Sequence, residues 1–291
     1  MRSLKLRTTA VDPDLLSAMQ NPPPHGALAW WWLGQAGFAL RFGPTLLLID
    51  PYLSDSLAEK YRNSEFKHQR VMPIPVAPEA ITGCAWVLCT HGHTDHMDAP
   101  TLRGLQQQST PRFLAPRAEM QRARERGVPA DRLVTINAGE TMPLTDSIAV
   151  EAIASAHERL ETDADGNHKF LGYILTIGGV RIYHSGDTIP YPGLVETLAD
   201  RAIDVAFLPI NGRDARRLAR GVPGNMTLEE ALELCRAAHI SHLVCHHFDL
   251  FDFNTIDRET ARTHLQVLAA GIDWVLPEIG VTYTIQREGK G

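Results

Sequence analysis

The sequence predicts an α/β (α+β) protein in which two β-sheets pack face to face with helices on the outside. Short apolar runs bounded by glycine and proline recur along the 291-residue chain, as is typical of strands. These runs first follow one another and then alternate with helix-like runs, and this order occurs twice. The composition, with 44% hydrophobic and 21% charged residues, is that of a globular protein with a sizeable core.

The first half of the chain begins with a predicted arm, residues 1–26, whose proline-rich end cannot lie inside a helix. Three strands separated by glycines, at residues 30–33, 38–42 and 45–49, predict an antiparallel meander. After a loop at residues 51–79, strands are predicted at 86–89 and 113–114, and helices at 99–107 and 117–126.

The second half repeats this order. Strands are predicted at 148–154, 171–177 and 180–183, with Gly178 and Gly179 as a hairpin turn. Further strands are predicted at 204–208, 242–245 and 281–285, and helices at 227–238 and 258–269. Because no linker separates the halves, residues 27–291 are expected to form a single domain.

Charge and motif content exclude several classes of protein. A formal net charge of -6 argues against nucleic acid as a partner, which would need an excess of Lys and Arg. No apolar run approaches the roughly 20 residues that span a bilayer, and the N-terminus lacks a secretory signal, so a cytoplasmic protein without a membrane partner is expected. The four cysteines form no Cys-x-x-Cys pair, which argues against a zinc ribbon. Whether the chain forms a homo-oligomer is left open.

The stretch CTHGHTDHMD at residues 89–98 predicts a metal site. Its side chains His91, His93, Asp95 and His96 follow an apolar strand and precede a helix. Imidazole and carboxylate are ligands that suit zinc, manganese or iron, and His-x-His places two rings on one side of an extended segment.

Further ligands are expected at other strand ends. The candidates are His157 in SAHE, Asp187 in YHSGDT, and either His246 or His247 in VCHHFD. Asp50, at the end of the strand 45–49, is a candidate to orient a ligand imidazole by a hydrogen bond. The alternative for Asp50 is a simple turn aspartate before proline.

From residue 29 onward the sequence resembles the metallo-β-lactamase superfamily, and within it the L-ascorbate-6-phosphate lactonase-like branch. The motifs that carry the resemblance are WWLGQAGF, LIDPYLSD, THGHTDH, SAH, YHSGDT, LPINGR and HHFD. The resemblance implies a four-layer αββα sandwich of the metallo-β-lactamase type, with the active site on one edge.

The resemblance also implies a division of the ligands between two divalent metal ions. The first ion would be held by His91, His93 and His157. The second would be held by Asp95, His96 and His247, with His246 as a neighbour. Asp187 would bridge the two ions, and Asp95 and Asp187 would be the catalytic carboxylates.

Such a site predicts a metal-dependent hydrolase. A hydroxide bridging two divalent metals, zinc or manganese with iron also fitting, would open a lactone or cleave a related ester of a small, anionic substrate. The main alternative is a metal-dependent phosphodiesterase, since the same nucleophile attacks phosphorus. A non-catalytic binding module of the same fold is a further alternative.

The predicted substrate-binding residues are Asn211, Arg213 and His168. Arg213 begins an arginine-rich segment, NGRDARRLARG, in an otherwise acidic protein. Guanidinium groups bind phosphate bidentately, so the segment could hold an anionic substrate. The alternative is a solvated helix face.

Overall fold

Fifteen β-strands form two sheets in the computed structural model, which describes residues 4–11, 14–23 and 26–287. The strands are β1 (Leu4–Val11), β2 (Leu28–Gly34), β3 (Gly37–Phe42), β4 (Thr45–Ile49), β5 (Cys84–Leu88), β6 (Arg112–Pro116), β7 (Leu133–Ile136), β8 (Thr141–Thr145), β9 (Ile148–Ala154), β10 (Leu171–Ile177), β11 (Val180–His184), β12 (Val205–Pro209), β13 (His242–His246), β14 (Asp273–Val275) and β15 (Val281–Arg287). The first sheet has the order β1-β15-β2-β3-β4-β5-β6-β7, and the second β14-β13-β12-β11-β10-β9-β8.

The tryptophan run of β2 is buried on both faces of the first sheet. Trp30 and Trp32 belong to the core between the sheets, whereas Trp31 belongs to the core on the opposite face. Because successive side chains of a strand point to opposite faces, a continuous apolar run is expected where both faces are covered. The ring of Trp30 lies 5.3 Å from that of Phe207 in the second sheet. Aromatic contacts therefore join the sheets.

Helices cover the outer faces of both sheets. They are α1 (Leu15–Gln20), α2 (Ser56–Lys60), α3 (Ala99–Gln108), α4 (Met120–Glu125), α5 (Leu194–Ala199), α6 (Ala215–Leu218), α7 (Leu228–Ala237) and α8 (Arg258–Leu268). Helix α3 packs Leu102 and Leu105 against the first sheet, and α7 packs Leu232 and Cys235 against the second. This order of layers confirms the predicted αββα sandwich. Within the described ranges, no helix is long and apolar enough to cross a membrane.

Several elements were not expected from the sequence. Within the predicted arm, β1 pairs antiparallel with β15, and α1 buries Leu15 and Met19. Residues 1–3, 12–13 and 24–25 of the arm lie outside the described residues. Strands β7 and β8 were missed because they are short, and because Pro143 lies within β8. Pro143 is tolerated there because β8 is an edge strand.

Parallel pairing determines where the loops meet. Strands β4 to β7 run parallel in the first sheet, and β11 to β14 run parallel in the second. The carboxyl ends of parallel strands open on the same edge of a sheet, where ligand sites are usually built. The predicted metal ligands follow several of these strand ends.

We expect Trp30→Ala to lower the free energy of unfolding by about 3–5 kcal/mol, because it leaves a cavity between the sheets. Trp30 stacks on Tyr283 with ring centroids 4.2 Å apart. Trp30→Phe is the matched control: it keeps a ring and removes a buried indole N–H that has no hydrogen-bond partner among the described residues. Urea unfolding measures both variants. A loss below about 1 kcal/mol for Trp30→Ala would contradict this account of the core.

Candidate metal centre

The turn between β5 and α3 is held by a helix cap and by an arginine from outside the turn. The carboxylate of Asp98 caps α3 by accepting a hydrogen bond from the Thr101 N–H at 3.0 Å. From outside the turn, the guanidinium of Arg126 donates to the backbone carbonyl oxygens of His93, at 3.0 Å, and Met97, at 2.5 Å. These contacts hold the backbone that carries the histidines.

Gly92, between the two histidines, packs closely against two side chains. A Cβ atom at this position would overlap the carboxylate of Glu119 and lie 2.7 Å from the guanidinium of Arg122. A side chain at this position would therefore push the ends of Glu119 and Arg122 away from the turn.

Three other segments bring their side chains to the same edge. His157 follows β9, Asp187 follows β11 and His247 follows β13. Gly186 has φ +59°, and a Cβ atom there would lie 2.8 Å from Thr90, so the chain needs glycine just before Asp187. His247 also has a left-handed backbone, with φ +60°.

The seven predicted ligands converge on one buried cluster. Their donor atoms fall into three groups in which all atoms lie within 4.8 Å of one another: His91, His93 and His157; His91, His96 and Asp187; and Asp95, His96 and His247. Asp187 lies between the imidazoles. Its Oδ2 is 3.4 Å from His157 Nε2 and 3.2 Å from His247 Nε2, and its Oδ1 is 3.2 Å from His96 Nε2.

Burial sets the charge of the two histidines of the His-x-His pair. It lowers the pKa of His91 well below its ordinary value and that of His93 to about 4. Both imidazoles are therefore neutral at pH 7. A neutral imidazole has a lone pair available for a metal.

His96 and Asp187 each shift the pKa of the other through their charges. Burial acts to lower the pKa of His96, but the neighbouring carboxylates, Asp187 above all, outweigh it and raise that pKa well above the ordinary value. Burial acts to raise the pKa of Asp187, but His247 and His96 hold it well below the ordinary value. Asp187 is therefore ionised.

Asp50 lies where an orienting residue is expected. Its fully buried carboxylate accepts hydrogen bonds from the Thr90 N–H at 2.7 Å and the Thr90 hydroxyl at 2.6 Å. It also lies 2.7 Å from His96 Nδ1. Because a carboxylate oxygen only accepts, Nδ1 carries the proton, and Nε2 is the atom left to bind a cation.

The donor atoms fit a divalent cation. His91 Nε2 is buried and has no hydrogen-bond partner among the described residues, and the buried His96 Nε2 and Asp187 Oδ1 face each other at 3.2 Å. Buried polar atoms normally have partners, because an unpaired one costs about 1–3 kcal/mol. The separation of 3.2 Å between His96 Nε2 and Asp187 Oδ1 is close to the ~3.3 Å expected for two ligands of one tetrahedral ion.

Gln35 is a site residue that the sequence analysis missed. It is buried in the turn between β2 and β3, and its Nε2 donates to Asp95 Oδ2 at 2.9 Å and lies 3.2 Å from His247 Nε2. Its backbone oxygen accepts from the His247 N–H at 3.0 Å. The available signal was its position between Gly34 and Gly37 in a motif that carried the family resemblance.

The structure brings His247 into the cluster and leaves His246 outside the three groups. His246 is fully buried and stacks on His184, with ring centroids 4.9 Å apart and planes 6° apart. His246 is the last residue of β13, and the left-handed backbone at His247 turns the chain there, so the two side chains face different surroundings.

A cavity of about 1040 Å³ opens beside the cluster and is lined by His93, Asp95, His157, Asp187 and His247, among other residues. In the described part of the chain, its lining does not include Asn211, Arg213 or His168. Asn211 lies behind the lining and donates to Asn254 Oδ1 at 2.8 Å.

The arginines of the predicted anion-binding segment are held by other partners. Arg213 makes a bidentate ion pair with Glu230, at 2.6 and 2.7 Å. Arg220 and Arg216 both pair with Glu65, at 2.6 and 3.5 Å. The backbone N–H of His168 donates to Asn137.

Comparisons with known proteins agree with this geometry. Residues 45–248 match the model of the β-lactamase superfamily domain. The chain is 26% identical over 258 residues to a UPF0173 metal-dependent hydrolase of Myxococcus xanthus, covering 87% of this chain and 81% of the relative. It is 25% identical over 275 residues to the "probable L-ascorbate-6-phosphate lactonase UlaG" of Escherichia fergusonii, covering 84% and 75%.

A solved structure shows the same fold. Igni18, a metallo hydrolase from Ignicoccus hospitalis, superposes with a TM-score of 0.63 at 19% identity, covering 91% of this chain and all of that one. The family model spans more than half of the chain, and the sandwich and the clustered histidines and aspartates are those that the resemblance implied. The chain therefore belongs to the metallo-β-lactamase superfamily.

Proposed function

We propose that the protein is a metal-dependent hydrolase that holds two divalent ions and opens a lactone, or cleaves a related carboxylic ester, of a small molecule. The observation that carries the proposal is the convergence of seven histidine and aspartate side chains in one cluster, five of which line a cavity. The relatives named metal-dependent hydrolase and probable lactonase support the reaction class.

The ligands divide into two sets around Asp187. His91, His93 and His157 would hold one ion. Asp95, His96 and His247 would hold the other, and Asp187 would serve both, since its two oxygens lie near imidazoles of both sets. Nitrogen and carboxylate donors without thiolate suit zinc, manganese or iron.

When bound, such ions supply a water nucleophile at neutral pH and polarise the carbonyl of the substrate. The residues of the chain then position the reacting groups and accept protons. Gln35 fixes Asp95 through Oδ2, and Asp95, which burial acts to protonate, stays ionised because His96 lies close. Asp95 Oδ1 can therefore accept the proton of the attacking water.

No thiol competes as the nucleophile along the described lining of the cavity. The cysteines Cys84, Cys89, Cys235 and Cys245 are all buried, and burial raises the pKa of each. A buried, protonated thiol is a poor nucleophile.

The substrate need not be anionic. The expectation of an anion rested on the arginine-rich segment, and Arg213, Arg216 and Arg220 already form ion pairs with Glu230 and Glu65. The proposal therefore keeps the small-molecule substrate and the lactone or ester bond without requiring a phosphate.

The proposal is tested by assaying hydrolysis after loading the purified protein with manganese or zinc. We expect opening of simple lactones and none in the metal-free protein. The comparison substrate is the phosphodiester bis(p-nitrophenyl) phosphate. Metal-dependent cleavage of the phosphodiester with no lactone or ester hydrolysis would overturn the reaction class and favour the phosphodiesterase alternative.

We expect Asp187→Asn to lower the bound metal to about one ion or fewer per chain and to reduce turnover at least about a hundredfold, because a neutral amide is a poor shared ligand. Elemental analysis after dialysis measures the metal. Asp146→Asn, an exposed aspartate in the turn between β8 and β9, is the control and should keep the wild-type metal content. Wild-type metal content in Asp187→Asn would contradict the assignment of Asp187 as a ligand of both ions.

Asp50→Asn tests the orientation of His96. The amide NH2 of asparagine would face Nδ1, favour the tautomer with the proton on Nε2, and weaken metal affinity about 10–100-fold. Competition with a chromogenic chelator measures the affinity, and circular dichroism checks the fold. An unchanged affinity would show that Asp50 stabilises only the turn at Thr90 and does not orient His96.

A further inference from the structure

The cavity beside the metal centre is larger than a small lactone requires. Its volume of about 1040 Å³ lies at the upper end of the roughly 300–1,000 Å³ typical of clefts that hold drug-sized ligands. Two segments outside both sheets line it: residues 57–68, which begin within α2, and residues 218–223, which begin at the last residue of α6. The cavity therefore has a wall that the metal ligands do not form.

Part of that wall is apolar, and charged side chains lie among the apolar ones. Tyr61, Phe66, Leu218, Val222 and Phe251 all line the cavity. Leu218 is 55% exposed, although it faces a cavity that contains the metal centre. An exposed apolar surface that adjoins a binding site commonly marks the place where a ligand is bound.

The wall is held in place by its own contacts. His68 stacks on Tyr61, with ring centroids 4.3 Å apart, and its Nδ1–H donates to the Phe66 carbonyl oxygen at 2.7 Å. Phe66 stacks on Phe253 at 4.5 Å. The wall is thus formed before any ligand binds, which lowers the entropic cost of binding.

Most of the cations around the cavity are already engaged. Arg220 pairs with Glu65, Arg122 with Glu119, and Arg126 donates to backbone carbonyls of the metal-binding turn. Lys60 lies 4.9 Å from the ring centre of Tyr61. This pattern does not form the cluster of free guanidinium groups that recognises a phosphate.

We propose that the wall formed by Tyr61, Phe66, Leu218, Val222 and Phe251 is a subsite for an alkyl or aryl group that the substrate carries next to its scissile bond. The inference rests on the proposed function, because it names the substrate class of the same site. The preferred substrate is then a lactone or ester with a substantial apolar substituent, and the apolar group, rather than an anionic one, provides most of the discrimination.

The first test compares γ-butyrolactone with γ-nonalactone, which adds a pentyl chain, using the metal-loaded protein. We expect kcat/KM to be at least about tenfold higher for γ-nonalactone. Leu218→Ser should reduce that preference about fivefold. Val267→Ser, at a 73% exposed apolar position on α8, is the matched control and should keep the preference. Equal kcat/KM for the two lactones in the wild type would overturn the proposal.

A binding measurement separates this inference from the reaction class. By calorimetry with the metal-loaded protein, 4-phenylbutyrate should bind at least about tenfold more tightly than butyrate, with a negative heat-capacity change. Leu218→Ser should weaken binding of 4-phenylbutyrate, and Val267→Ser should not. If this pattern is found without any lactone or ester hydrolysis, the reaction class fails and the subsite stands. If butyrate, or glucose 6-phosphate, binds as tightly as 4-phenylbutyrate, the subsite fails.

Discussion

The structure depends on bringing many ionisable side chains together where water is largely excluded. Asp187 is ionised and 4% exposed, with imidazoles 3.2 to 3.4 Å from its oxygens. Isolated buried charges are unstable, so such a carboxylate must be balanced by opposite charge. In the protein alone His96 and His247 provide that balance. His91 Nε2 still has no partner within the described chain, and a bound cation would satisfy it and complete the balance of charge at Asp187.

The residues around the cluster bear the backbone strain of the site. Gln35, Asp50 and His247 all have positive φ, between 44° and 60°, a conformation that side chains other than glycine seldom adopt. Each lies directly after a strand, and each contacts a ligand or is one. A sharp left-handed turn at a strand end aims a side chain back across the sheet edge. Strand pairing and burial on either side stabilise these turns, which lets the site keep a costly geometry.

The sequence predicted the side chains that converge at the sheet edge better than the residues that support them. The turn from His91 to His96 was recognisable because several ligand types follow one buried strand, and His157, Asp187 and His247 repeat that position. Gln35 was missed because a turn amide has no chemical signature until Asp95 lies beside it. The arginine-rich segment suggested an anion site because the pairing of its Arg220 with Glu65 can be seen only in the fold. The two residues lie 155 positions apart in the chain. Strand β1 was missed because its partner β15 lies at the other end of the chain.

In the proposed function, reaction and specificity arise from different parts of the architecture. The predicted metal ligands follow strands of two packed sheets, so their spacing is fixed by the core and by strand pairing. The proposed apolar wall consists of Phe251 and residues of the segments 57–68 and 218–223. These two segments are outside the sheets and are joined to each other by the pairing of Glu65 with Arg220. Substitutions in the wall can change the substrate without moving a ligand, since loops tolerate change more readily than core strands. Similarity at 25 to 26% identity therefore supports a metal-dependent hydrolase more strongly than it supports any substrate, and the proposed substrate class rests on the wall of this chain itself.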